Sequence, residues 1–315
     1  MTDLHPHDPA SEGEAAALEA FEQAFDPARP TDPPAGVEMV GFGEISMVFK
    51  LDQHPDRVFK RVAGLRPSEL VPYRRVVDAY VARLESCGVR VASVEAFEVE
   101  REEGRPILYL AQRAIDPALL AHRQVADASD AELERLLETI LGHIDAVIPG
   151  GGTGLDAQLS NWALDEAGAF ERLTYLDLTT PMLRDGARER LDLGFALRAL
   201  PLPIRGLMRA VRADRKMMDR YYDQRSVAMD VVSNLVKEGQ AHRLPLAIDV
   251  VNRWLTRIDA RPLSLGEARA DYRADARLWA FLQWVKRPDR WVRTRLLGRP
   301  YDWVLAPSID RKAAS

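Results

Sequence analysis

Hydrophobic periodicity changes once along this chain, at Asp116-Pro117, and that change limits the possible folds more than any other feature. Before it, apolar residues alternate over short segments bounded by turn residues. After it, they recur at helical spacing. Val37 to Gly41 and Ile45 to Leu51 read as two strands around Gly41-Phe-Gly43-Glu-Ile-Ser46, and Arg57 to Val62 as a third after the His54-Pro-Asp turn. Pro72 suits the first turn of a helix on which Tyr73, Val76, Val77, Tyr80 and Leu84 share a face, and Gly88 suits its end. Ser93 to Glu100 and Pro106 to Gln112 read as two more strands, separated by Glu102-Glu-Gly-Arg. The order is three strands, one helix and two strands, which describes a five-stranded sheet with a single helix.

The remainder reads as helical. Ala131 to Val147 places Leu133, Leu136, Leu137, Ile140, Leu141 and Ile144 on one face. Pro149-Gly-Gly-Gly-Thr-Gly then breaks the helix, and two short strands follow, Asn161 to Leu164 and Arg172 to Leu178. Helices dominate from Arg188 to Ile258. Residues 1–34, rich in Pro, Asp, Glu and Ala, predict a disordered arm with room for a short helix at Glu12 to Phe25. The chain therefore divides into an arm (1–34), a sheet-rich segment (35–115) and a helical segment (116–315), an α+β fold without internal repeats.

Composition removes several classes of function. A net charge of −5 over 315 residues gives no general argument for nucleic acid. The single cysteine, Cys87, excludes an intramolecular disulfide and a cysteine-rich zinc site, and fits a reducing compartment. No run is apolar enough for a transmembrane segment, and no secretory signal is visible, so a cytoplasmic location is expected. No histidine pair has metal-ligand spacing, and no Gly-x-Ser-x-Gly elbow supports hydrolase chemistry. Oligomeric state leaves no trace in the sequence.

The stretch that carries chemistry is Gly154-Leu-Asp-Ala-Gln-Leu-Ser-Asn161. The chain has only three asparagines; one stands five residues after Asp156, and Asp177 follows in Leu173-Thr-Tyr-Leu-Asp-Leu. An Asp-x4-Asn loop followed by a strand ending in Asp supplies one candidate base and two hard oxygen ligands. That is the inventory for moving a phosphoryl group from Mg-ATP.

In this order, the motifs of residues 36–180 resemble the protein-kinase-like superfamily, especially its small-molecule branch near the aminoglycoside and choline phosphotransferases. The match is one of motif spacing. The resemblance implies a two-lobed fold, with a five-stranded N-lobe carrying one helix and a mainly helical C-lobe. It implies that Gly41, Gly43 and Ser46 belong to a glycine-rich loop over the phosphates, and that Lys60 in Arg57-Val-Phe-Lys-Arg-Val contacts the α- and β-phosphates. Arg61 and Lys50 stay open as alternatives for that cation. Asp78, on the predicted helix, fits the acid that pairs with the lysine better than Glu69 or Glu85 does. Ala111, Gln112 and Arg113, in Tyr109-Leu-Ala-Gln-Arg-Ala, fall at the inter-lobe hinge that binds adenine. Asp156 falls at the catalytic base, and Asn161 and Asp177 at the magnesium ligands.

Three positions depart from the family pattern. Gly154 replaces the usual histidine two residues before the base, and Leu178-Thr179 replaces Phe-Gly after the metal-binding aspartate. Gln158 stands where protein kinases carry a lysine that steadies the transferred phosphate; glutamine can hydrogen-bond a phosphate but cannot neutralise it. The expectation is an ATP- and magnesium-dependent phosphotransferase acting on a small-molecule hydroxyl. Three alternatives remain open: a nucleotide-binding pseudokinase or regulator, AMP transfer from the same pocket, and a helical interaction protein without a nucleotide.

Two cationic regions lie outside these motifs. Residues 181–240 hold Arg184, Arg188, Arg190, Arg198, Arg205, Arg209, Arg212, Arg215, Lys216, Arg220 and Arg225, with Leu207, Met208, Val211, Met217, Met218 and Tyr221 at near-helical spacing. They read as an amphipathic helix with a solvated arginine face, the sharper alternative being a surface for an anionic substrate or membrane headgroups. Trp279 to Trp303 holds four of six tryptophans among arginines, and reads as a cap in which arginine packs over tryptophan.

Overall fold

The computed structural model describes residues 9–43, 46–101, 105–210 and 217–305. It is a mixed α+β structure built around a five-stranded antiparallel sheet. The strands β1 (Val37–Phe42), β2 (Ser46–Leu51), β3 (His54–Val62), β5 (Glu95–Glu100) and β6 (Pro106–Arg113) take the order β1-β2-β3-β6-β5. Between β3 and β5 lie helix α2 (Pro67–Ser86) and a two-residue strand, β4 (Arg90–Val91). Helix α2 begins five residues before the expected Pro72. Pro67 needs no amide partner in the first turn, and Glu69 reaches back to accept from the Arg66 amide at 2.8 Å.

Strand alternation divides the sheet between two cores. On β3, Phe59 faces one way with Phe49 and Ala111 opposite it, while Lys60 faces the other with Val48 and Leu110. The Phe59 side joins Met47, Phe49, Val99, Ile107 and Tyr109 in one apolar cluster; Val62, Leu108 and Leu110 join the larger core with α2 and the later helices. Strand β6 is apolar at nearly every position because both its faces are buried.

The N-terminal segment is not the expected disordered arm, although the short helix allowed for at Glu12 to Phe25 is present. Residues Pro9–Ala24 form helix α1, and Leu18, Phe21 and the following Phe25 are buried against the Phe59 face. Phe21 stacks on Phe49, with ring centroids 4.2 Å apart. Glu22 is buried on the same face and receives Arg61 through Nε at 2.8 Å and Nη2 at 2.6 Å, with Tyr109 donating its hydroxyl to the same carboxylate. Arg61 Nη1 also donates to the Asp302 carbonyl at 2.7 Å, so one guanidinium joins α1, the sheet and the C-terminal segment. The segment's composition suggested disorder because the partners of Glu22 lie 39 and 87 residues away.

After β6 come α3 (Ala121–Asp127) and α4 (Asp130–Val147), the latter capped by Ser129 with Glu132 in return. All six apolar residues assigned to one face of α4 are buried. Strands β7 (Trp162–Leu164) and β8 (Leu173–Tyr175) pair antiparallel, and β4 adds to β8 in parallel, a partner the sequence did not suggest. A hairpin of β9 (Arg184–Asp185) and β10 (Arg188–Glu189) follows. The remaining named helices are α5 (Gly194–Leu197), α6 (Leu202–Ala210), α7 (Gln224–Lys237), α8 (Leu244–Arg257) and α9 (Leu265–Trp291).

Among the described cations of residues 181–240, Arg188 and Arg190 are exposed, whereas Arg184, Arg198, Arg205, Arg220 and Arg225 are engaged by other groups of the protein. Arg184 pairs with Glu189 and Asp219, Arg198 with Glu69, Arg220 with Asp230 and Asp271, and Arg225 with Glu267. Arg205 donates to the carbonyls of Arg198 and Leu200. These arginines are cross-links between segments. The side chain of Arg209, and Val211, Arg212, Arg215 and Lys216, lie outside the described residues.

The tryptophan-rich stretch behaves as a cap in part. Arg293 lies over Tyr301 and Trp303, 5.6 and 5.5 Å from their ring centroids. Trp303 packs so closely on Gly64 that a Cβ there would stand 2.7 Å from the indole, and Gly64 has φ +87°, so both position and conformation require glycine. Trp284 and Trp291, in contrast, are exposed.

Candidate functional site

The Lys60 face of the sheet looks toward the segment after β8, and a compact polar site forms there. Lys60 Nζ donates to the Leu176 carbonyl at 2.9 Å and lies 3.3 Å from Asp177 Oδ1. Gln112, on the same face of β6, donates to the same carbonyl at 3.1 Å. Of the three cations left open by the sequence, Lys60 is the one that meets Asp177. Arg61 points into the opposite core and is paired with Glu22, while Lys50 stands opposite Glu38 in the β1–β2 pairing.

Asp177 Oδ1 also accepts from the Thr179 hydroxyl at 2.7 Å and the Thr179 amide at 3.2 Å. Thr179 therefore orients this carboxylate. Burial would raise the Asp177 pKa, but Lys60 and Thr179 outweigh it and hold the group below the usual carboxylate range. All three contacts fall on Oδ1, which leaves Oδ2 for a further ligand.

The Asp156 loop is closed on itself. Asn161 Nδ2 donates to the Asp156 carbonyl at 3.0 Å, the Leu176 amide donates to the Asn161 carbonyl at 2.9 Å, and Trp162 Nε1 donates to the Ala157 carbonyl at 3.2 Å. His143 of α4 stacks on Trp162, with centroids 5.1 Å apart, and braces the loop from below. Burial, reinforced by the Asp177 carboxylate, pushes Asp156 up to about 6, against opposing contributions from the Gln158 amide and Lys237. Two neighbouring carboxylates are thus driven in opposite directions, one toward a proton acceptor near neutrality and one toward a permanent anion.

Helix α2 holds both loops with phenols. Tyr73 donates to the Thr179 carbonyl at 2.7 Å, and Tyr80, two turns further on, donates to the Gly154 carbonyl at 3.0 Å. The expected pairing of Asp78 with Lys60 is not formed. Asp78 lies on the exposed side of α2, and the acid that meets Lys60 is Asp177. Nor does Glu69 take that place, since it pairs with Arg66 and Arg198. Helical spacing from Tyr73, Val76, Val77 and Tyr80 puts position 78 on the solvent side, a signal already present in the sequence.

Gly154 has a packing reason. A Cβ there would lie 3.0 Å from the Tyr221 carbonyl oxygen and 3.1 Å from Met182 Cβ, so the segments around Tyr221 and Met182 fill the space a histidine would need. The Gly154 and Leu155 amides donate to Met182 and Tyr221, both at 2.9 Å.

Gln158 is engaged from α7. Its Oε1 lies 3.4 Å from Lys237 Nζ and 3.5 Å from Asn234 Nδ2, while Asn234 Oδ1 accepts from the Leu159 amide at 3.1 Å. Lys237 was not singled out from the sequence. Only its membership among six lysines in an arginine-rich chain distinguishes it. The same residues border a small polar cleft of about 40 Å³, lined further by Arg220, Asp230, Ser233 and Tyr272.

The remaining expected positions are arranged around this centre. Gly41 is paired with Val48, one strand from Lys60, and Gly43 donates its amide to the Ser46 carbonyl at 2.8 Å; Glu44 and Ile45 lie outside the described residues. Strand β5 ends opposite Ala111, so Gln112 and Arg113 pair with β3 alone and their other edge is not taken by a strand. The Ala111 side chain is buried in the α1-side core, Gln112 reaches the site, and the Arg113 side chain is exposed.

Asn161 and Asp177 are linked through the backbone, where the Leu176 amide donates to the Asn161 carbonyl; an amide oxygen and a carboxylate are donor types that suit magnesium when phosphate oxygens and water complete the shell. Among the described residues, no group of three or more His, Cys, Asp and Glu side chains could hold a metal by itself.

No curated protein matches this chain. Residues 38–290 match the Family of unknown function (DUF6206), and the chain belongs to that family. The match runs from β1 to the last turn of α9 and includes Lys60, Asp156, Asn161, Asp177 and Lys237.

Proposed function

We propose that this member of a family of unknown function is a phosphotransferase with a two-lobed, protein-kinase-like arrangement, moving the terminal phosphoryl group of ATP to a small-molecule hydroxyl. The observation that carries the reading is the meeting of Lys60 with Asp177 beside an Asp156 whose pKa is pushed up to about 6. A cation from the sheet, an anion from the strand end and a carboxylate suited to accept a proton meet where the two halves of the chain face each other.

In this reading Lys60 leaves Asp177 to contact the α- and β-phosphates, and Asn161 and Asp177 hold magnesium. Bound magnesium would neutralise charge on the phosphate oxygens. Gln112 and Arg113 offer backbone to adenine at the free edge of β6. Asp156 orients the acceptor hydroxyl and takes its proton. Rate enhancement comes mainly from positioning and charge neutralisation.

The test is ADP release by the full chain with ATP, magnesium and a library of small alcohols, beside Asp156→Ala and Asp177→Ala. Asp156→Ala is expected to retain nucleotide and lose turnover, and Asp177→Ala to lose magnesium-dependent nucleotide binding. Normal turnover in both would sink the assignment, and pyrophosphate in place of ADP would mean AMP transfer. A nucleotide-binding regulator is the second reading, favoured by glutamine at position 158; magnesium-ATP binding without turnover on any alcohol would support it.

A further inference from the structure

The exposed tryptophans of α9 form an apolar surface far along the chain from the Asp156 loop. Trp279, Leu282, Val285 and Lys286 are buried, so the inner face of the helix is accounted for. On the outer face Phe281, Trp284 and Trp291 are 48%, 68% and 57% exposed, and Leu296 and Leu297 just beyond the helix are 65% and 55% exposed. Phe281 and Trp284 are neighbours, with ring centroids 6.4 Å apart. Trp291 follows Trp284 by two turns, about 10 Å along the same face. A soluble surface rarely leaves so much contiguous apolar area uncovered without a partner for it.

Charge narrows the choice of partner. Between Arg277 and Arg299 seven side chains are basic and one is acidic, in a chain whose net charge is −5. Arg277, Arg295 and Arg299 are exposed. Asp289, the lone acid, is already paired with Arg293 at 2.7 Å. A two-fold dimer would bring this patch against itself and set like charges together. Single-stranded nucleic acid would use the aromatic rings but has no use for Leu296 and Leu297. Aromatic and leucine side chains surrounded by arginines instead match the boundary between anionic headgroups and acyl chains. There the rings and leucines enter the apolar layer and the guanidinium groups meet phosphates.

We infer that the outer face of Phe281 to Leu297 is a peripheral docking surface for an anionic phospholipid bilayer. It is independent of the phosphotransfer reading.

Co-sedimentation of the full chain with vesicles of phosphatidylcholine alone, and of phosphatidylcholine mixed with phosphatidylglycerol, tests the assignment. Binding is expected on the mixed vesicles, weak on the neutral ones, reduced by salt, and accompanied by a blue shift of tryptophan emission. Trp284→Ala combined with Trp291→Ala is expected to lower partitioning by about tenfold or more. Arg295→Gln with Arg299→Gln is expected to weaken it severalfold. All four positions are exposed, and an unchanged circular dichroism spectrum in each variant separates lost docking from lost folding. The inference is overturned by absence of binding to anionic vesicles, or by binding indifferent to both double variants. It is equally overturned by a dimer that dissociates on the tryptophan substitutions, or by displacement of the vesicles by a single-stranded oligonucleotide.

Discussion

Lys60 Nζ stands 3.3 Å from Asp177 Oδ1 although 117 residues of chain separate the two. Lys60 is held as well by the Leu176 carbonyl and Asp177 by Thr179, so both groups are anchored on the one segment that follows β8. Next to Lys60 in sequence, Arg61 makes a different ion pair on the opposite face of the sheet. Two adjacent cations thus have separate jobs, and substitution distinguishes them.

Lys60→Met is expected to lower the melting temperature less than Arg61→Met does and to abolish magnesium-ATP binding, read by isothermal titration. Arg61→Met removes the bidentate partner of the buried Glu22, leaving it Tyr109 and Arg101, and should cost about 3 kcal/mol of stability. Chemical denaturation would show it. If the two variants exchange these phenotypes, Lys60 is the structural cation and the site is misplaced.

The pH dependence follows from Asp156. A base must be deprotonated, so kcat/KM is expected to fall on the acid side of about pH 6 with the slope of a single proton. Stability runs the other way. A carboxyl whose folded pKa is raised binds its proton more tightly when folded, so stability declines as pH rises from the ordinary Asp value through about 6 and stays lowered above it. Asp156→Asn should therefore raise the melting temperature at pH 8 and have little effect near pH 4. A destabilised Asn variant at pH 8 would show that Asp156 is held as a wanted anion.

Tyr73→Phe and Tyr80→Phe each leave a buried carbonyl, Thr179 or Gly154, without its donor. Each is expected to cost about 1–2 kcal/mol in chemical denaturation. Because these carbonyls belong to the two loops of the site, kcat is expected to fall more than nucleotide affinity. A change confined to nucleotide affinity would count against the positioning role.

Lys237 reaches the side chain that stands two residues after Asp156, in a position without its own positive charge. Lys237→Met is expected to lower kcat by about tenfold or more, as befits loss of one charge near the transferred phosphoryl group. Gln158→Lys in that background should recover part of the loss, because the charge returns to the same spot on a different backbone. Failure of any such recovery, with ADP formation intact in the parent chain, would confine Lys237 to a structural role.

Gly154→Ala is expected to lower the melting temperature and turnover together. Its Cβ would press on the Tyr221 carbonyl oxygen at 3.0 Å, and relief requires the loop or the Tyr221 segment to move. An alanine variant with unaltered melting would mean that the segment yields freely and that the glycine is not demanded by packing.

The five strands and their order, α4 with its buried face, and the Asp-x4-Asn and strand-end Asp segments were legible in the sequence. Each is encoded locally, by alternation, by helical spacing or by a short run of residues. What the sequence left undecided depended on partners distant in the chain. Alternation alone said that Lys60 and Arg61 face opposite ways, but not which face meets Asp177; the packing of α1 on the Arg61 side decided it. Residues 1–34 read as a disordered arm with room for a short helix at Glu12 to Phe25, and what docks that helix on the sheet, the partners of Glu22, shows only in three dimensions. The tyrosines of α2, the closeness of Tyr221 and Met182 to Gly154, and the reach of Lys237 to Gln158 are all contacts between segments brought together by core packing. Local propensity carries no record of them, because their free energy exists only once the apolar faces have met.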